Sequence, residues 1–357
     1  MGTACLMGWG FMPEINRSLE HVGIGFAAFL APPGPEVIRF TVGQPDFDTP
    51  APVVEAVKAA LDRGETAYTR TQGSVELCDA VAQHLTIHDI KVDPEDVVVT
   101  PGCKQAVLYA MMATLDVGDE VLVLSPAWPS YDGMLKLINA VPVHVPVNRK
   151  NYHPDFNALE AAITPKTKAI MLNSPNNPTG AVYTPEEIER IVQFAIKHDL
   201  WIIDDMIYAT LVWADYPYTS PAALPGGAER TLTVGGWSKG WAMTGWRLGW
   251  IAGPKEVMDG VKKINVSAAT HVATFMMPAA TVALSLDEET SMMAASFKER
   301  RNLIHELLTD LPGVVVPRPE GAFYAFCDIS GTGMDDIEFA TRALEEAKVQ
   351  LIPGSLI

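Results

Sequence analysis

The chain has 357 residues, 48% of them hydrophobic and 19% charged, more than one compact core holds, so two domains or one large domain with a satellite are expected. Its 26 basic and 43 acidic side chains leave a net charge of −17, which argues against a nucleic-acid surface, where a basic stripe is needed. The longest apolar run, FMMPAATVALSL (275–286), is too short and too broken by proline to span a bilayer.

In chain order, MGTACLMGWGFM opens the sequence without basic residues, so no secretory signal is expected, and Leu6 breaks a myristoylation pattern. GIGF (23–26) is a lone Gly-x-Gly with no strand before it and carries no dinucleotide expectation. Residues 1–45 are rich in Gly and Pro, with APPGPE ahead of the strand-like VIRFTV (37–42). From about 95 to 255 short apolar runs alternate with longer amphipathic ones. EDVVVT, EVLVLS, VPVHVPV, KAIMLN, LWIID and TLTVGG predict strands; KQAVLYAMMATL, SYDGMLKLI, FNALEAAI and EEIERIVQFAIKH predict helices. Thr184-Pro185-Glu186-Glu187 carries the marks of a helix start, a capping Thr with Glu three residues later and Pro in the first turn. Such alternation predicts an α/β fold with a mostly parallel sheet between helices, which binds ligands at the carboxyl ends of its strands. Beyond 290, a long helix (SMMAASFKERRNLIHELLTDL), the strands of VVVPRPEGAFYAFCDI (314–329) and a helix EFATRALEEAK predict a small α+β unit. The expected division is 46–288 for a large domain and 1–45 with 289–357 for a small one.

Cys5, Cys78, Cys103 and Cys327 share no short spacing and read as reduced thiols of a cytoplasmic protein. His84 and His88 stand four apart in HLTIH without the Glu of a zinc-protease helix, and no metal is expected there.

The loops at the strand ends carry the chemistry. TPGCKQ (100–105) opens a helix after a strand, so backbone N–H groups near Gly102 and Cys103 offer a phosphate seat. SPAWPSY (125–131) supplies Trp128, NSPNNPTG (173–180) supplies Asn177, and WIIDD ends on Asp205 with Tyr208 three residues on. WSKGWAMTGWRLGW (237–250) packs four of the chain's eight tryptophans around Lys239 and Arg247. Singly, each has a plain structural alternative: NPTG a turn, the double Asp a solvated cap, Trp128 core, Lys239 a lysine whose stem is buried and whose ammonium reaches water. Jointly they match pyridoxal phosphate. That cofactor needs a lysine for its aldehyde, a carboxylate for its ring nitrogen and a stacking ring. It also needs donors for its phenolic oxygen, and cations with helix N–H groups for its phosphate.

At these residues, and through GQPDFDTP (43–50), AYTRTQGSVEL (67–77) and PEGAFY (319–324), the chain resembles the class I aminotransferases of the fold-type I pyridoxal-phosphate family, near the bacterial aspartate aminotransferases. The resemblance implies a large domain with a seven-stranded, mostly parallel sheet. It implies a Schiff base at Lys239, which also shuttles the proton between substrate and cofactor. Asp205 would pair with the ring nitrogen, and Asn177 and Tyr208 would hold the phenolic oxygen. Trp128 would stack on the ring, and Arg247 with Gly102, Cys103 and Lys104 would hold the phosphate. Tyr68 would reach the phosphate of a partner subunit, implying a homodimer with shared sites. Gly43 would lie near the substrate carboxylate, with Trp128 and Asn177 beside the substrate. Lys104 would contact the distal carboxylate of a dicarboxylic substrate, favouring aspartate or glutamate with 2-oxoglutarate.

Three departures stand beside the resemblance. The sequence ends at LIPGSLI, before the arginine that the family places on the substrate α-carboxylate. Gly236 replaces a serine common three residues before the lysine, with Ser238 as a candidate to compensate. VGIGFAAFLAPPGPE lacks the Ser/Thr pattern that helps read a distal carboxylate. The alternatives are therefore a lyase on the same fold or a truncated cofactor-binding form of weak activity. A cofactor-sensing regulator would need a DNA-binding extension that this acidic chain lacks.

Overall fold

The structure is a computed structural model and describes residues 34–357. Cys5, the GIGF stretch and most of VGIGFAAFLAPPGPE lie outside the described residues.

Along the chain, a short strand β1 (Ile38–Arg39) precedes helices α1 (Ala51–Asp62) and α2 (Val75–Leu85), the latter capped by the Ser74 side chain. Strand and helix then alternate: β2 (Val97–Thr100), α3 (Cys103–Thr114), β3 (Glu120–Ser125), α4 (Ser130–Leu137), β4 (Val141–Pro146), α5 (Phe156–Ala162), β5 (Thr167–Asn173) and α6 (Pro185–His198). The start of α6 is a full capping box: Thr184 accepts from the Glu187 N–H and the Glu187 carboxylate accepts from the Thr184 N–H. Strands β6 (Trp201–Asp205), β7 (Thr231–Gly236) and β8 (Gly249–Ala252) follow. Then come α7 (Lys255–Ala268), α8 (Met277–Ala283), α9 (Asp287–Thr309), α10 (Asp336–Ala347) and β9 (Val349–Gln350).

The main sheet runs β2-β8-β7-β6-β5-β3-β4, seven strands among the described residues, parallel except for β8. The β7–β8 link has no crossover helix, so β8 returns antiparallel beside β7. Strands β2, β7 and β8 are buried throughout, which is why they read as continuous apolar or small-residue runs. Edge strand β4 is exposed at both ends and at His144 and carries Pro142 and Pro146, as an edge tolerates.

The tryptophans of 237–250 explain the apolar setting of Lys239. Trp237, Trp241 and Trp250 are buried in the layer that α1, α2 and α8 press against the sheet, and the Trp237 indole donates to the Ala280 carbonyl. His84 lies edge-on to Trp241 and Trp250, and burial pushes its imidazole down to about 4. No described helix is long and apolar enough to cross a membrane.

A second, two-stranded sheet pairs β1 with β9 in parallel. The strands expected across 314–329 do not form; the segment makes only the isolated bridges Val315–Asp328 and Val212–Gly321. Pro317 and Pro319 have no N–H to give, and the N–H groups of Glu320 and Gly321 both donate to the Gly180 carbonyl.

Candidate active site

Alternation along β6 sends its two terminal aspartates to opposite faces of the sheet. Asp204 accepts from Tyr218 at 2.6 Å and Ser220 at 2.7 Å. Asp205 faces the other way. Its Oδ2 accepts from the Tyr131 hydroxyl at 2.6 Å, and its Oδ1 accepts from the Ile207 N–H at 3.2 Å and the Cys103 thiol at 3.6 Å. Burial raises the Asp205 pKa above the usual carboxylate range, and these three donors with Lys239 oppose the rise.

Gly102 ends the turn after β2 with φ +88°, and no side chain caps α3, so the first N–H groups of that helix keep their positive end free. A Cβ on Gly102 would sit 2.6 Å from Nη2 of Arg247, so the missing side chain lets the guanidinium lie over the turn. Helix N–H groups and an arginine thus meet at one place, the arrangement an anionic group needs. β8 is packed just as tightly beneath: a Cβ on Gly249 would fall 2.3 Å from the Cys103 nitrogen. The absent serine at Gly236 has the same cause, since a Cβ there would meet the Leu248 carbonyl oxygen at 2.8 Å.

Lys239 lies in the turn after β7. Its Nζ donates to the Gly43 carbonyl and stands 5.9 Å from the Tyr208 ring centroid and 5.7 Å from that of Phe323. Among the described residues no carboxylate lies within salt-bridge distance of Nζ. Burial pulls its pKa down to about 8, Arg247 adds to the fall, and Cys103 and Asp205 partly offset it.

Tyr208, Asn177 and Tyr324 form one polar cluster. The two tyrosine hydroxyls are 2.6 Å apart, and Asn177 Nδ2 donates to the Tyr324 oxygen at 3.3 Å. Burial raises both phenols well above their ordinary value. The Tyr324 hydroxyl also lies only 2.2 Å from where a Cβ on Gly43 would stand, so that glycine too is required by a close approach. The Trp128 ring packs edge-on against Tyr131 at 5.3 Å, and Lys104 Nζ lies 4.8 Å above the Trp128 ring while bonding Ser130 Oγ at 3.0 Å. Burial, with Arg247 nearby, lowers the Lys104 pKa.

The fold therefore gathers Gly43, Gly102, Cys103, Lys104, Trp128, Asn177, Asp205, Tyr208, Lys239 and Arg247 at one end of the sheet, with Ser238 buried next to the lysine. Tyr68 is held apart from them, 90% exposed and edge-on to His271 at 5.6 Å. Sequence reasoning missed Tyr131 and Tyr324, although both close motifs that were singled out, SPAWPSY and PEGAFY. The signal was present: a tyrosine ending each motif.

An amine, a buried carboxylate, paired phenol and amide donors, an indole and an arginine over a helix start are together the donor set of pyridoxal 5′-phosphate. They define, on a mostly parallel seven-stranded sheet, a fold-type I pyridoxal-phosphate enzyme. The sequence profile described as Aminotransferase class I and II matches residues 35–357. Aspartate aminotransferase of Thermotoga maritima is 42% identical over 334 residues, 92% of this chain and 86% of the relative. Aspartate/prephenate aminotransferase of Thermus thermophilus is 40% identical over 90% of this chain and 84% of the relative. The solved aspartate aminotransferase from Thermus thermophilus with maleate superposes with a TM-score of 0.91 at 37% identity, covering 97% of this chain and 92% of that one. The chain belongs to the class I and II aminotransferases and is a pyridoxal-phosphate-dependent transaminase acting on amino and 2-oxo acids.

Proposed function

We propose that the enzyme moves the amino group of a dicarboxylic L-amino acid, aspartate foremost, to 2-oxoglutarate, with Lys239 as the amine that takes the cofactor's aldehyde. The observation that carries this reading is Lys239 Nζ, which donates to the Gly43 carbonyl between the Tyr208 and Phe323 rings with no carboxylate in salt-bridge distance among the described residues, its pKa lowered by burial to about 8. About one such amine in ten is neutral at pH 7, against fewer than about one in a thousand for an ordinary lysine.

Bound there, the cofactor would supply an electron sink for the substrate α-carbon. Asp205 would hold the ring-nitrogen proton, and its three donors would keep the carboxylate ionised for that task. Tyr208 and Asn177 would donate to the phenolic oxygen. Arg247 and the N–H groups at Gly102, Cys103 and Lys104 would bind the phosphate, with Ser238 adjacent. Trp128 would face the ring. Once displaced by substrate, Lys239 Nζ would accept and return a proton as general base and acid. Gly43 offers a backbone group, and Asn177 and Trp128 side groups, to the substrate. Lys104, exposed and with no carboxylate partner among the described residues, offers a cation to a distal carboxylate, in keeping with relatives named for aspartate.

The same reading makes the protein a homodimer. The exposed Tyr68 ring is anchored from behind, by Thr69 N–H to His271 at 3.4 Å and Thr274 Oγ1 to the Ala67 carbonyl at 2.7 Å, which suits a side chain reaching a partner's phosphate. Residues 46–288 would form the large domain, and 1–45 with 289–357 the small one. The described cysteines, Cys78, Cys103 and Cys327, are free thiols, in keeping with a reducing cytoplasm.

Steady-state assays with 2-oxoglutarate test the substrate class. Oxaloacetate formation from aspartate should exceed pyruvate formation from alanine at least about tenfold in kcat/KM, the worth of one charge-assisted contact. Equal values would overturn the dicarboxylic reading, and ammonia release without an oxo-acid acceptor would favour the lyase.

A further inference from the structure

A second titratable cluster lies outside the cofactor cage. His153, 6% exposed, sits on the loop before α5 and bridges two carboxylates: Nδ1 to Glu187 Oε2 at 2.7 Å and Nε2 to Glu320 Oε2 at 3.0 Å. Both ring nitrogens face acceptor-only groups, which only the doubly protonated imidazolium satisfies. Glu187 is the capping-box residue of α6. Glu320 stands in PEGAFY, and its Oε2 also accepts from the Val182 N–H at 3.1 Å and the Tyr216 hydroxyl at 3.3 Å.

The backbone of the same residue ties the neighbourhood together. The Glu320 N–H donates to Gly180 of NSPNNPTG at 2.8 Å, and its carbonyl accepts from Trp213. Four residues on, Tyr324 places its hydroxyl between Tyr208, Asn177 and Gly43. His153 therefore ties the PEGAFY segment to the first turn of α6, while the Glu320 backbone ties the same segment to the loop that bears Asn177.

We propose that His153 is a positioning residue for the reaction: as a cation between Glu187 and Glu320 it sets, through Glu320, where the Tyr324 and Tyr208 hydroxyls and the Asn177 amide stand in the site. The charged and titratable groups around it are Glu187 on α6, Glu320 on the PEGAFY segment, Tyr216 bonded to Glu320, and the Tyr183 ring edge-on at 6.1 Å. Burial disfavours the charged ring, but the two carboxylates more than compensate and raise its pKa to about 9. Without the imidazolium, Glu187 and Glu320 face each other as uncompensated like charges, and the PEGAFY segment parts from the start of α6.

The inference rests on the reading that Tyr208 and Asn177 meet the cofactor's phenolic oxygen. Its test is the pH midpoint of the visible band of the cofactor-loaded protein, compared among wild type, Tyr208→Phe, His153→Gln and His153→Lys, with melting temperature alongside. In His153→Gln the midpoint should move in the direction of Tyr208→Phe, with a roughly tenfold loss of kcat/KM, and His153→Lys should restore most of both by returning a cation. A His153→Gln protein that melts earlier with an unmoved midpoint overturns the proposal and leaves His153 a structural residue. If His153→Gln does not fold, Glu320→Gln takes its place, and an unmoved midpoint there overturns the proposal equally. If even Tyr208→Phe leaves the midpoint unmoved, the underlying reading of the site fails instead.

Discussion

The Tyr131 hydroxyl, six residues past the end of β3, donates to Asp205 Oδ2 at 2.6 Å across 74 positions of the chain. It joins the segment that carries Trp128 to the buried carboxylate at the floor of the candidate site, so the Trp128 ring and Asp205 share one support. Tyr131→Phe keeps the packing and removes the donor. Stability at pH 7 should fall by about 2 kcal/mol, the cost of leaving one oxygen of a buried carboxylate unpaired. Chemical denaturation reads it, and an unchanged midpoint would show that water takes the hydroxyl's place.

Gly102→Ala puts a methyl where Arg247 now lies, 2.6 Å from Nη2, at a φ of +88° that L-residues avoid. Affinity for pyridoxal phosphate should fall at least about tenfold, equivalent to roughly 1.4 kcal/mol, as the arginine is driven off the helix start. Fluorescence titration of the cofactor-free protein measures it. Wild-type affinity in the variant would remove the phosphate from this seat.

The buried amine should set the pH dependence of cofactor capture. The rate at which cofactor-free protein forms the visible band should climb with pH and level off above about 8, as Nζ loses its proton. Stopped-flow absorbance gives the profile; a rise that continues to pH 10 would mean an ordinary lysine.

His153 gives the opposite trend in stability. Its folded pKa is raised from 6.5 to about 9, so its contribution is complete below about 6.5 and drains away as pH rises to about 9. Glu320 is 33% exposed, so screening by water trims the contribution to about 2 kcal/mol. The stability difference between wild type and His153→Gln should shrink across that window and stay flat above it. A constant difference from pH 6 to 9.5 would show that the ring does not titrate there.

Much of this was legible in the sequence because each signal was local. Short apolar runs ending in Gly, Pro, Asn or Asp marked the parallel strands and their loops, and Thr184 with Glu187 marked α6. The motif at each strand end carried the side chain that the fold brings to the candidate site. What was not legible depends on approach between distant segments. β8 reads as GWIA, too short and too small to announce a strand, and pairs only because β7 and β2 flank it. The strands expected across 314–329 yielded to prolines and to a competing acceptor at Gly180. Gly43 and Gly236 are glycine because Tyr324 and Leu248 stand where a Cβ would go. His153 bridges partners 34 and 167 positions away, a relation no local pattern reveals.

Lys104→Ala tests the distal contact. Its kcat/KM for aspartate should drop about tenfold while that for alanine changes less than about twofold, since alanine has no second carboxylate to lose a partner. Parallel losses on both substrates would place Lys104 at the phosphate alone.

The most direct measurement of the central claim is the visible spectrum of the cofactor-loaded protein before and after excess L-aspartate, then with 2-oxoglutarate. Transamination of aspartate at Lys239 requires the band to vanish with aspartate and to return with the oxo acid, and Lys239→Ala to show neither change. A band in the wild type that ignores aspartate but responds to an apolar amino acid would contradict the dicarboxylic assignment, and one that persists with every amino donor would contradict transamination by this chain.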